Sequence, residues 1–256
     1  MKFLGICAAV TAAAVVYSSV RAPSAPAPVP KVVDTAVVRP PLCAAAFADK
    51  TGSMKAARTD DLSPSTLKPL CDRLLVTGGE IGFGLIQDHS NKPLIRVYVP
   101  APPEPPVSAP PVPGNIFVAA NTKKRESAER KKYEAARQAW LADATERIKV
   151  FIAAVTPLLA MPTNARRTDI RSAIERADLF LAEPSPFART PECVVILLSD
   201  GVDNVNANPI PKLKSNARVV IANGIGSVGA VGVLSPVRFE SVDAAMRYVA
   251  GGPHAR

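Results

Sequence analysis

Val194-Val-Ile-Leu-Leu-Ser-Asp-Gly-Val-Asp-Asn204 is the stretch that decides the fold. Its first five residues are apolar and rich in β-branched side chains, with no polar alternation. A strand buried on both faces requires that pattern. The run stops at Ser199-Asp200-Gly201, where oxygen-bearing side chains replace hydrocarbon. Two other segments share its character: Leu42 to Ala48, built mostly of small apolar residues, and Arg218 to Ala222. Glu80 to Ile86, with glycines at 82 and 84, and Leu94 to Val99 read as further strands, as does Arg238-Phe239-Glu240.

Helical periodicity fills the intervals. Ser63 to Leu75 sets Leu67, Leu70 and Leu74 on one face. Lys123 to Leu159 carries a long stripe through Tyr133, Ala136, Trp140, Ala144, Ile148, Phe151, Val155 and Leu158. Thr168 to Leu181 opens on a capping pair, Thr168-Asp169, and Val242 to Val249 closes the series. Strands alternating with helices predict an α/β fold: a doubly wound, mostly parallel sheet flanked by helices, with a long helical insertion. In such sheets ligands bind outside the carboxyl ends of the central strands.

The composition of the 256 residues narrows the class. Lys and Arg number 31 against 22 Asp and Glu, a net charge of +9, and 48% of residues are apolar. That apolar share excludes wholesale disorder. Four Cys do not make a disulfide scaffold, and two His argue against a His-based zinc site or a Ser-His-Asp triad. The 26 Pro are clustered, at 23–41 and again at 100–113. The first cluster reads as an extended tether and the second as a break inside the folded body. Ahead of the tether, Met1-Lys2 precedes an uncharged apolar run and small residues up to Arg21. Residues 1–22 therefore read as a signal peptide, cut near Val20-Arg-Ala22, or as a retained membrane anchor. Either makes the protein exported or tethered at the cell envelope. The expected organisation is leader, linker at 23–41, and a body at 42–256 interrupted at about 100–160.

Two of the strands end in oxygen-rich loops. One runs Asp49-Lys-Thr-Gly-Ser-Met54, the other Ser199-Asp-Gly-Val-Asp-Asn204, and Thr168-Asp-Ile170 opens the helix between them in sequence. Asp49, Thr51, Ser53, Thr168 and Asp200 supply two carboxylates and three hydroxyls. Hard cations such as Mg²⁺ take oxygen ligands of this kind and keep some water. Gly52 lets the first loop turn tightly enough for Thr51 and Ser53 to point the same way.

These segments resemble the von Willebrand factor type A family. Asp49-Lys-Thr-Gly-Ser-Met54 is similar to its Asp-x-Ser-Gly-Ser-Met loop, with Thr51 in place of Ser. Thr168-Asp-Ile-Arg-Ser-Ala-Ile-Glu-Arg-Ala177 is similar to its Thr-Asp-Ile segment, and 194–204 to its strand and Thr-Asp-Gly turn. Arg218-Val-Val-Ile-Ala-Asn-Gly-Ile-Gly226 resembles the next strand and its end. The resemblance covers about 42–250, apart from the insertion. It implies a metal-ion-dependent adhesion site: Mg²⁺ or Mn²⁺ on Thr51, Ser53 and Thr168, with Asp49 and Asp200 acting largely through water. It also implies a protein partner whose Asp or Glu carboxylate completes the coordination. No catalytic residue is expected.

Two other readings compete. Asp49-Lys-Thr-Gly52 also opens the phosphorylated loop of P-type ATPases. A haloacid-dehalogenase-like phosphatase would use Asp49 as nucleophile, with the metal on Asp200 and Asp203. Against it, Thr51 stands where a second Asp is expected, and 150–199 contains no Lys for the phosphate. The third reading is a metal-free scaffold, with the Asp and Ser residues merely capping turns. The helical insertion carries nine cations and five anions over 123–149. Without interleaved aromatics it reads as a solvated face, not a nucleic-acid surface. In the resembled family the strands bearing Cys43 and Cys193 are neighbours. The two residues would then form either a disulfide or a pair of buried thiols.

Overall fold

The computed structural model describes residues 39–56, 62–107, 116–184, 186–205, 209–222 and 229–251. The expectations for the leader, for 23–38 of the linker and for the turn at 223–226 lie outside these residues. Among the described residues no helix is long and apolar enough to cross a membrane.

Six strands form one sheet: β1 (Leu42–Asp49), β2 (Gly79–Ile86), β3 (Ile95–Val99), β4 (Glu192–Leu198), β5 (Arg218–Ala222) and β6 (Val237–Phe239). Their order is β3-β2-β1-β4-β5-β6. Every pairing is parallel except β2 with β3. The helices are α1 (Gly52–Ala56), α2 (Lys68–Thr77), α3 (Ile116–Leu159), α4 (Ile170–Leu181) and α5 (Val242–Ala250). A 3-10 turn at Pro64–Leu67 leads into α2.

The sheet is buried on both faces, as the unalternating apolar strands predict. On one face Leu42, Ala44, Ala46 and Ala48 of β1 join α2, α3 and α5 in a single core. On the other, Cys43, Ala45 and Phe47 pack with Ile170, Ala173, Ile174, Ala177 and Phe180 of α4. The alanines of β1 keep both helical layers close to the sheet. Each large side chain buried this way contributes roughly 1.5–3 kcal/mol. Gly79 allows the central pairing to form. Its φ is +144°, and a Cβ there would lie 2.3 Å from the Leu42 carbonyl oxygen.

Two details differ from the sequence reading. The long helix starts at Ile116, not at Lys123. Among the described residues its apolar stripe joins the main core from Trp140 onward. Ala144, Phe151, Val155 and Leu159 are buried and Trp140, Ile148 and Leu158 partly so, whereas Ala136 is exposed. The helix packs against β3, α2 and the 3-10 turn, and the residues it gives to the described core all lie from Trp140 onward. Trp140 Nε1 donates to the Pro100 carbonyl at 3.0 Å, so the Pro-rich exit from β3 is pinned to α3. The side chains of Cys43, Cys71 and Cys193 are free thiols.

Candidate metal centre

Between β1 and β4 the winding of the sheet reverses direction. Strands added after β1 run outward through β2 to β3, and those after β4 run the other way. At such a switch point the loops leaving the two strands diverge and open a crevice. Asp49 is the last residue of β1, and Ser199-Asp200 follow the last residue of β4. The topology thus brings together the two oxygen-rich loops, which lie 150 residues apart in sequence.

The first loop is a tight chain of hydrogen bonds. Thr51 N donates to Asp49 Oδ1 at 2.9 Å, and the Thr51 and Ser53 hydroxyls lie 3.1 Å apart. Gly52 N donates to the Ala165 carbonyl at 3.0 Å, and Ala165 N donates to Lys50 O at 3.0 Å. The segment just before Thr168 is therefore laced to the loop after β1. Lys50 is buried, and its Nζ donates to the Leu159 carbonyl at 2.6 Å, at the carboxyl end of α3. A cation there also meets the negative end of the helix dipole. Thr51 is buried, while Ser53 is exposed at the rim.

Across the crevice, Ser199 Oγ donates to Asp49 Oδ2 at 2.6 Å and accepts from Gly201 N at 3.1 Å. Asp200 Oδ1 accepts from Val202 N at 3.0 Å, closing its own turn. Thr168 is buried and tied to the same turn from both sides. Thr168 N donates to Asn204 Oδ1 at 2.7 Å, and Asn204 N donates to the Thr168 carbonyl at 3.1 Å. Asp169 caps α4 by accepting from Ser172 N, and it also accepts from Ser90 N. Asp203 accepts from Arg171 N at 2.8 Å and from Val205 N at 3.0 Å, so both its oxygens bond backbone near the start of α4.

All five expected residues thus stand on segments that meet at the carboxyl ends of β1 and β4. Asp49, Thr51 and Ser53 form one continuous cluster. Thr168 joins it through its backbone link to Asn204, in the loop that carries Asp200, and Asp200 joins through its charge on Asp49 rather than by a direct hydrogen bond among the described residues. Burial pushes the Asp49 carboxyl above the usual range, and the charge of Asp200 adds to the push, while Ser199 and Thr51 oppose it. Two carboxylates and three hydroxyls are a hard, all-oxygen donor set. They fit a small divalent cation, whose charge would offset the burial of two neighbouring anions. Among the described residues no three His, Cys, Asp or Glu side chains gather into a metal cluster, so any such site depends on the hydroxyls.

Sequence reasoning gave no role to three residues that build this site. Ser199 sits inside the strand-end motif, next to the aspartate assigned as ligand. Asn204 ends the same motif. Lys50 occupies the variable position of the first loop, and its burial follows from a helix end that the sequence does not place there.

No protein-family model and no curated protein matches the chain. Several solved structures are similar to it. Proximal thread matrix protein 1 from the mussel byssus matches at 11% identity, over 83% of this chain and 47% of that one, with a TM-score of 0.41. The pilus adhesin SpaC from Lactobacillus rhamnosus GG, in an open conformation, matches at 12% identity over 83% and 29%, with a TM-score of 0.42. The manganese-loaded TRAP protein of Plasmodium vivax matches at 14% identity over 86% and 66%, with a TM-score of 0.33. The chain spans about half the length of the first and under a third of the second. The likeness concerns the fold.

Proposed function

We propose that this protein is a metal-dependent protein-binding module of the von Willebrand A type, working in adhesion or assembly at the cell envelope. The observation that supports the reading is the convergence, at the switch point of the sheet, of the loops that carry Asp49, Thr51, Ser53, Thr168 and Asp200. A bound Mg²⁺ or Mn²⁺ supplies an open coordination position for an Asp or Glu carboxylate of a partner protein. The chain's own residues hold that position ready. Thr51, Ser53 and Thr168 present hydroxyls, and Asp49 and Asp200 supply negative charge behind them. Ser199 fixes one oxygen of Asp49 and Thr51 N fixes the other, so the carboxylate cannot rotate away. The two-way link between Thr168 and Asn204 holds the third segment against the second. Ser53, at the exposed rim, is the member of the set best placed to meet a partner.

The phosphatase reading leaves Thr51 where a second Asp is expected and gives the Thr168 segment no role, whereas the binding reading uses both. The binding reading is therefore preferred.

Thermal unfolding of the full chain tests the proposal, run in EDTA, Mg²⁺ and Mn²⁺ for the wild type and for Thr168→Val. A ligand at a hundred times its dissociation constant adds about 2.7 kcal/mol to stability. The expected result is a metal-dependent rise in the wild type that is lost in Thr168→Val. A rise that survives the substitution returns the phosphatase reading. No metal response in either protein leaves a metal-free scaffold.

A further inference from the structure

The amino end of the same two strands carries a second chemical site. Cys43 and Cys193 are partners in the parallel register of β1 and β4. Partners on adjacent parallel strands point to the same face, and both cysteines border the core beneath α4. Neighbouring strands lie about 4.8 Å apart, inside the roughly 4.4–6.8 Å Cα separation that a disulfide spans. Cys193 Sγ lies 4.0 Å from the Pro191 carbonyl, a long and weak contact. Their environments differ: Cys43 is buried and Cys193 is partly open to solvent at the start of its strand. The neighbouring Cys43 thiol, which can donate to a thiolate at Cys193, holds Cys193 below its ordinary range; the same pairing and burial push Cys43 up. A partly exposed thiol favoured as thiolate, beside a buried second thiol, is the arrangement of an attacking and a resolving cysteine.

We propose that Cys43 and Cys193 are a thiol–disulfide exchange site that closes reversibly into a bridge between the two central strands. The oxidant is a small-molecule or protein disulfide. The Cys193 thiolate attacks one of its sulfurs, the S–S bond breaks, and one thiolate leaves with the electron pair. That thiolate takes up the Cys43 proton. Cys43 then attacks the Cys193 sulfur, breaks the mixed disulfide and releases the second thiolate, which is protonated from solvent. Each cysteine sulfur loses one electron, and the oxidant gains two. The bridge lies six residues before Asp49 on β1 and seven before Asp200 on β4. It fastens the strands that present the candidate metal centre without touching its loops, and it does not depend on that centre binding metal.

Peptide mapping of the reduced full chain tests this, after native incubation with oxidised glutathione and alkylation of the remaining thiols. The expected product contains a peptide linking Cys43 to Cys193, two hydrogens lighter than the separate peptides, and keeps Cys71 alkylatable; the peptide containing Cys7 is scored separately. Dithiothreitol restores both thiols. In Cys43→Ala the expected product carries a glutathione adduct on Cys193 and none on Cys71, with the peptide containing Cys7 scored separately. Full alkylation of Cys43 and Cys193 in the native wild type would overturn the proposal. So would a linked peptide formed only in denaturant, or one joining either cysteine to Cys71. A glutathione adduct on neither cysteine in a folded Cys43→Ala chain overturns the order of attack.

Discussion

The two ends of the sheet bury polar groups in opposite ways. At the amino end Arg73, with its side chain 4% exposed, pairs with Glu192 at 2.7 Å. It also donates to the carbonyls of Val249 and Pro40. Arg218 pairs with the other oxygen of Glu192, stacks on the Tyr248 ring and donates to its hydroxyl. Positive and negative charge meet there inside one chain. At the carboxyl end the charge of Asp200 adds to the burial that makes ionisation of Asp49 costly, and the hydrogen-bond partners of the two carboxylates are hydroxyl and backbone N–H groups. The first arrangement pairs two guanidinium groups with one carboxylate, leaves Arg73 Nε and Arg218 Nε buried without a hydrogen-bond partner among the described residues, and reads as structure. The second is a concentration of acceptors at a crevice and reads as a place for a cation.

Substitutions can break or sharpen this contrast. The largest effect is expected from Arg73→Met, which removes a buried partner of Glu192 and should cost about 3 kcal/mol in denaturant unfolding. It should leave any response to metal unchanged, because the damage stays at the amino end. Thr168→Val should do the reverse. Stability in EDTA should change little, while the metal-dependent gain of about 2.7 kcal/mol disappears from the melting curve. Ser199→Ala withdraws the hydroxyl from Asp49 Oδ2 and should cost about 2 kcal/mol in EDTA. Part of that loss should return when Mg²⁺ is added, since a cation would offset the same buried carboxylate. Tyr248→Phe deletes the hydroxyl that Arg218 bonds but keeps the ring beneath the guanidinium. About 1 kcal/mol is expected from chemical denaturation, with no change in metal response. If Arg73→Met abolished metal stabilisation, the two ends would not be independent and the contrast would fail.

The neighbourhood of Asp49 shows how far sequence reasoning reached. The acidic and hydroxyl residues were legible because each follows a recognisable apolar strand or opens an amphipathic helix. Ser199 and Asn204 lie within a recognisable motif, but the sequence assigns them no role because their partners, Asp49 and Thr168, come from other segments. Lys50 shows the same limit: its partner is a helix end 109 residues away. The part of the stripe on α3 that precedes Trp140 is the converse case. Periodicity marks which side of a helix is apolar, but not which part of its length joins the core.

By itself the sequence determined the alternation of buried strands and amphipathic helices, and hence a doubly wound, mostly parallel sheet. It also determined the oxygen chemistry of the strand-end loops, because both are local properties of side-chain type and spacing. The tertiary structure decided which strands are neighbours, and everything that follows from that. Placing β1 beside β4 made Asp49 a partner of Ser199, set Cys43 against Cys193 and created the crevice at the switch point. Strand adjacency is set by packing over the whole chain, since each strand finds its place by burying both faces at once, and no single stretch of residues encodes it.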